Sequence, residues 1–157
     1  MRIGFGFDVH PLVDGIPLWL GGINIPHDQG AKGHSDADVM LHAVCDAMLG
    51  ALALGDIGKH FPDTDEKYKS IDSKILLSHV YQLIQQKGYK LGNMDIALVL
   101  EAPKIMHHVP QMQACIARIL ECAIDQVSIK ATTNEKMGYV GRKEGICCYA
   151  VVLLLAQ

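Results

Sequence analysis

The sequence predicts an α/β fold, an α+β sandwich. We expect a mixed sheet of about four main strands, helices on one of its faces, and a small N-terminal hairpin. Three observations predict it. Short alternating segments interleave with longer stretches of helical periodicity along the 157 residues. The stretches 73–87 and 110–123 are apolar on one side only, as helices packed on a sheet should be. The run 145–156 is apolar on both faces of a strand, so it belongs in a sheet covered from both sides.

Each element has a local signal. Residues 2–10 alternate and stop at a proline, which predicts a strand. Leu18-Trp19-Leu20 and Ile23-Asn24-Ile25 flank Gly21-Gly22, a hairpin signal. In 33–55, Ser35 followed by Asp38 resembles a capping box, good helix formers follow, and Gly55 is a stop; a helix beginning near Ser35 is expected. The segment 56–69 is polar, with Gly, Pro and four acids, and reads as a long functional loop. A helix over 73–87 ends at Gly88, and 95–100 is a strand. Pro110 opens a helix to 123, 127–132 is a strand, 134–143 is a Gly-containing loop, and 145–156 is the last strand. With no repeat, low-complexity tract or linker, a single domain over 1–157 is expected. About three helices can cover one face of such a sheet. A neighbouring subunit is the natural cover for the other, with a sheet closed on itself as the alternative.

Composition narrows function. Half of the residues are hydrophobic and 20% charged, which fits a folded chain rather than a disordered one. A net charge of -3 leaves no broad basic field, so nonspecific nucleic-acid binding is excluded and any anion must be held locally. The run 146–156 is too short to cross a bilayer, and the first ten residues hold no signal-peptide run. Five cysteines without a CxxC motif read as reduced core residues. A soluble, cytoplasmic protein is expected.

Four constellations could carry chemistry. Asp8 and His10 share one face of a strand, so a carboxylate and an imidazole can converge; with one more nitrogen they would make a zinc-type site with an open position, although D-x-H alone fits an ordinary surface pair as well. His34, Asp38 and His42 lie at the start and along one side of an apolar helix, either as ligands or as a solvated face; His34 is also placed for phosphate. The segment 130–136, Lys-Ala-Thr-Thr-Asn-Glu-Lys, offers hydroxyls and backbone N–H groups for phosphate, and Glu135 offers a hard oxygen ligand for Mg²⁺; a polar turn is the plainer reading. Ala102-Pro103-Lys104 joins a strand to a helix.

In order, GFDVH at 6–10, GHSDADVMLHAVCDAMLGALALGDIGKHFPDTD at 33–65, EAPK at 101–104 and ATTNEKMGYVGRKEGI at 131–146 resemble the 2-C-methyl-D-erythritol 2,4-cyclodiphosphate synthase family over essentially the whole chain. The resemblance implies a homotrimer with sheets facing the threefold axis and active sites at subunit interfaces. It implies conversion of a cytidine diphosphate substrate, 4-diphosphocytidyl-2-C-methyl-D-erythritol 2-phosphate, to the cyclic diphosphate and CMP, a phosphorus–oxygen lyase reaction of non-mevalonate isoprenoid biosynthesis. Asp8, His10 and His42 match zinc ligands, Glu135 a ligand of Mg²⁺ or Mn²⁺, and His34 and Thr133 residues that steady the transition state. Ser35, Asp56, Ile57, Gly58, Phe61, Pro62, Asp63, Thr64 and Asp65 match substrate contacts. Leu100, Glu101, Ala102, Pro103, Lys104, Ile105, Met106, Ala131, Thr132 and Thr133 match the cytidine and diphosphate pocket, Asn134 is grouped with the substrate contacts, and Tyr139 and Arg142 match residues near the trimer axis. Two other readings use the same residues: a zinc-dependent phosphohydrolase, and a trimeric protein binding an isoprenoid diphosphate in the axial cavity.

Overall fold

In a computed structural model, described for residues 1–62 and 64–157, a five-stranded mixed sheet carries helices on one face. The strands are β1 (Arg2–Asp14), the hairpin pair β2 (Leu18–Leu20) and β3 (Ile23–Ile25), β4 (Gln29–Ala31), β5 (Tyr89–Val99), β6 (Val127–Thr132) and β7 (Gly145–Ala156). The helices are α1 (Val39–Ala51), α2 (Ile57–His60), α3 (Ser73–Gln86), α4 (Val109–Ile119) and α5 (Gly138–Gly141). Sheet order is β4-β1-β7-β5-β6, with β5 and β6 parallel and the other ladders antiparallel; β2 and β3 form the separate hairpin. The four long strands and the small hairpin agree with expectation, and β4 is an addition.

The pleat divides the sheet cleanly. Leu91, Met94, Ile96, Leu98, Ile146, Cys148, Ala150, Val152 and Leu154 form one buried row set with α1, α3 and α4. Gly4 and Gly6 let α1 lie directly on β1: a side-chain carbon at Gly4 would overlap the Ala47 carbonyl, and one at Gly6 the Ala43 carbonyl. The opposite face presents Ile3, Phe5, Phe7, Val9, Tyr149 and Val151, with Ile3 71% and Phe5 63% exposed. All five cysteines are free. Cys148 packs in the core, and Cys147 points the other way, beside Tyr139. Among the described residues no helix is long and apolar enough to cross a membrane.

Several boundaries differ from expectation for physical reasons. The helix expected near Ser35 starts at Val39, because Asp38 is the N-cap itself and accepts from the Met40 and Leu41 N–H groups. β1 runs past Pro11 by changing partner from β7 to β4, so the missing proline N–H ends one ladder without ending the strand. β5 begins at Tyr89 rather than residue 95, since a bulge between Leu91 and Asn93 breaks the alternation that would have shown it. The polar stretch 56–69 holds α2 and a 3-10 turn at Glu66–Tyr68, capped by Asp56 and Asp65, and 134–143 contains α5.

Candidate active site

Strand and helix meet in a fixed register. Gly4 lies against Ala47 and Ala51, and Gly6 against Ala43 and Ala47, so the next inward positions of β1, Asp8 and His10, arrive at the first turns of α1 and at His42. Asp8 Oδ2 stands 3.0 Å from His10 Nε2 and 2.9 Å from His42 Nδ1, and the two nitrogens are 3.1 Å apart. This is the one cluster of three metal-type donors among the described residues. Burial pushes the Asp8 carboxyl up, but its contacts with His10 and His42 outweigh that and bring it down to about 2. Burial likewise pushes the His42 imidazole down, and the Asp8 carboxylate reverses this and raises it.

The donor set fits a small cation. A carboxylate oxygen and two imidazole nitrogens face one another, an arrangement that is repulsive unless positive charge lies between them, as protons or as an ion. Tetrahedral zinc bonds of about 2.0–2.1 Å would space the ligand atoms by about 3.3 Å, so an outward movement of a few tenths of an ångström seats the ion. The cluster opens into a cavity of about 370 Å³ also lined by His34, Ser35, Ile57, Gly58, Phe61 and Pro62. Among these, His34 is exposed and Ser35 Oγ lies 3.0 Å from His42 Nε2.

Asp38, grouped with His34 and His42 on one helix side in the sequence, belongs elsewhere. It is fully buried and accepts the Gly21 N–H at 3.0 Å and the Gly22 N–H at 2.6 Å, besides capping α1; it ties the hairpin to the helix and faces away from the metal cluster. Asp56 is exposed and caps the Lys59 N–H of α2. Thr64 is exposed, Asp65 is paired with Lys67, and Asp63 lies outside the described residues.

A second cavity, of about 650 Å³, lies at the other edge of the sheet. Leu100, Glu101, Pro103, Lys104, Ile105, Met106, Ala131, Thr132 and Thr133 line it, as grouped in the sequence, and Val109, Pro110, Ile129 and Lys130 complete it. Ala102, between Glu101 and Pro103, is not one of the lining residues. Glu101 plays a part that its grouping with substrate contacts did not show: its Oε1 accepts the Asn134 N–H at 3.0 Å and the Lys136 N–H at 3.2 Å, clamping two loops together. Thr133 Oγ1 donates to Glu135 Oε1 at 3.0 Å, so these two exposed residues form a unit. Tyr139 is 40% exposed, and its hydroxyl is pushed up to about 12 chiefly by its contact with Cys147. The Arg142 guanidinium forks onto Glu144, with both contacts at 2.9 Å.

The two cavities do not merge within one chain. Asp8 pairs with Cys148, Cys148 with Leu98, and Leu98 with Ala131. The metal cluster and the β6 end are thus three strand spacings apart, roughly 14 Å. Sequence reasoning also missed Ser73 and Asp36, whose hydrogen bonds lie behind His42; their signal is three-dimensional, since 37 residues separate them.

The chain is 56% identical over 155 residues to the 2-C-methyl-D-erythritol 2,4-cyclodiphosphate synthase of Porphyromonas gingivalis, covering 99% of this chain and 96% of that protein. It is 60% identical over 154 residues to the synthase of the same name from Chloroherpeton thalassium, covering 98% of both. Among solved structures, the bifunctional IspDF of Campylobacter jejuni superposes with a TM-score of 0.96 at 42% identity, covering 99% of this chain; this chain spans 42% of that longer protein. The IspF of Plasmodium falciparum in complex with CDP superposes with a TM-score of 0.88 at 35% identity, covering 99% of this chain and 96% of that one. The YgbB family model matches residues 1–155, and the chain belongs to that family.

Proposed function

We propose that this chain converts 4-diphosphocytidyl-2-C-methyl-D-erythritol 2-phosphate to 2-C-methyl-D-erythritol 2,4-cyclodiphosphate and CMP, as a phosphorus–oxygen lyase of non-mevalonate isoprenoid biosynthesis. The observation that carries this reading is the Asp8–His10–His42 cluster opening into a cavity, in a chain more than half identical to synthases of that name. The attacking 2-phosphate is already an anion, so the site needs no strong base; it must bring two anions together and hold the leaving CMP. Bound zinc and Mg²⁺ or Mn²⁺ would supply Lewis-acid stabilisation of the phosphoryl oxygens.

The chain's own residues do the rest. Asp8, His10 and His42 would hold zinc, and Glu135 the second cation. His34 and Ser35 offer donors beside the cluster, and Thr133 lines the second cavity with its hydroxyl bonded to Glu135. The apolar walls Leu100, Ile105 and Ile129 suit a nucleoside, and main-chain groups of 100–106 and 131–133 recognise the cytidine and diphosphate. Ile57, Gly58, Phe61 and Pro62 wall the erythritol side, with Asp56 capping α2. Positioning for intramolecular attack contributes up to roughly 7–11 kcal/mol in favourable systems.

The roughly 14 Å between the cavities gives the assembly a purpose. A homotrimer whose apolar sheet faces meet would cover Ile3, Phe5, Phe7 and Val151 and set one chain's metal cavity beside its neighbour's nucleotide cavity. Tyr139 and Arg142 would lie near the axis, where an isoprenoid diphosphate would have to compete with Glu144 for Arg142. We place the enzyme in the cytoplasm. The test is phosphorus NMR of the purified chain with the cytidyl substrate, Zn²⁺ and Mg²⁺. Equal appearance of CMP and a cyclic diphosphate is expected; CMP with linear phosphates would make it a phosphohydrolase.

A further inference from the structure

Ser73 and Asp36 stand outside both cavities' walls, yet Ser73 bonds His42 and Asp36 bonds Ser73. Ser73 opens α3 and is fully buried. Its hydroxyl has one proton to give and two lone pairs to offer. Asp36 Oδ1 lies within hydrogen-bond distance of that hydroxyl and can only accept, so the Ser73 proton points to Asp36. Asp36 Oδ2 accepts the Ser73 N–H at 3.1 Å, so one carboxylate grips the serine by main chain and side chain together.

Toward His42 the serine oxygen is therefore an acceptor. His42 Nε2 lies 2.9 Å from it, so the ring proton sits on Nε2 and is donated there. Ser35 Oγ, 3.0 Å from the same nitrogen, already accepts the Ala37 N–H and has a lone pair to spare. A neutral ring protonated at Nε2 leaves Nδ1 with a free lone pair, and Nδ1 is the atom that faces Asp8 and His10.

We propose that Asp36 and Ser73 are positioning residues of the metal site. Through the chain Asp36–Ser73–His42 they hold His42 in the Nε2–H tautomer and aim Nδ1 at the ion. The proposal rests on the zinc reading above and adds two residues to it. Outer partners of metal-bound histidines act in this way, fixing ring orientation and raising ligand basicity.

The test is zinc affinity of the full chain by competition with a chromogenic chelator, for wild type, Ser73→Ala and Asp36→Asn, beside thermal melts and CDP binding. Ser73→Ala is expected to weaken zinc by about 10–100-fold with CDP affinity unchanged, and Asp36→Asn to move zinc in the same direction by less. A folded Ser73→Ala chain that binds zinc within about twofold of wild type overturns the proposal. Should Ser73→Ala fail to fold, two measurements decide. One is Asp36→Asn. The other is nitrogen NMR of ¹⁵N-histidine-labelled, zinc-loaded wild type, where a His42 that carries its proton on Nδ1 and gives Nε2 to the ion overturns the assignment. Wild type that binds no zinc overturns both this proposal and the metal reading beneath it; wild-type zinc with unaffected variants overturns this one alone.

Discussion

The two cavities of this chain are built on opposite plans. On the β1–α1 side, three side chains converge within 3.1 Å, and the far nitrogen of His42 is also engaged. Its chemistry is a matter of residue identity: each donor is a carboxylate or an imidazole, held by a strand and a helix in close register. On the β5–β6 side the cavity is larger, and its walls are aliphatic side chains and open main chain of exposed loops. There, the side chain that matters structurally, Glu101, works by holding two loops in place. The first plan suits a small cation. The second has the size and apolar walls that suit a bulky ligand with its own polar edges.

Breaking each side separately tests the contrast. His42→Ala should have the largest effect: zinc falls from about one ion per chain to near none, and turnover drops by more than about 100-fold, beyond the range seen for outer-shell changes. CDP binding at the far cavity should survive. Metal analysis and CDP titration check both; full zinc in His42→Ala would remove it from the ligand set. The two halves should then be separable by assembly. Phe5→Asp places a charge on the uncovered apolar face, where Phe5 packs against Tyr149 with ring centroids 6.2 Å apart. Sedimentation should show a monomer that keeps zinc and loses turnover, whereas an active monomer would show that one chain completes the site. On the nucleotide side, Glu101→Ala releases two backbone N–H groups and should weaken CDP by about tenfold, equivalent to one hydrogen bond of roughly 1–1.5 kcal/mol, with zinc retained. Calorimetric titration with CDP reads it, and unchanged affinity would mean the loops hold without the clamp.

The same contrast explains what the sequence revealed. Asp8 and His10 were readable because strand pleat alone puts them on one face, and His42 because the family resemblance supplied the third ligand. Their register with α1 was not, since it depends on Gly4 and Gly6 admitting a helix from 40 residues away. Asp38 misled for a related reason. Locally it looks like a member of a polar helix side, but its oxygens are consumed by Gly21 and Gly22 of the hairpin, a contact no periodicity encodes. The walls of the second cavity were grouped by family likeness; the role of Glu101 was invisible because its partners are main-chain N–H groups of a different loop. The apolar strand at 145–156 announced a cover on both faces, and the structure supplies one for the helix side only.

The smallest predicted effect concerns the link between α1 and the wall of the metal cavity. Asp46 Oδ1 accepts the Ile57 N–H at 2.7 Å, fixing the start of α2 against α1. Burial raises the Asp46 carboxyl above its ordinary range, the Ile57 N–H opposes this, and nearby Asp56 and Asp8 add to the rise. A raised acid binds its proton more tightly folded than unfolded. Its contribution to stability is therefore complete below the usual carboxylate range and is lost as pH climbs through the folded value. At neutral pH the ionised group is held at some cost. Asp46→Asn keeps an oxygen for Ile57 and removes the charge, so it should be more stable than wild type at pH 7, by less than about 1 kcal/mol because water still reaches the group. The difference should close towards pH 3, where wild type is itself protonated, and zinc content should not change. Thermal melts at the two pH values decide it. A variant less stable than wild type at pH 7 would show that the charged hydrogen bond to Ile57 outweighs the burial, and a gap that does not vary with pH would show that Asp46 titrates alike in the folded and unfolded chain.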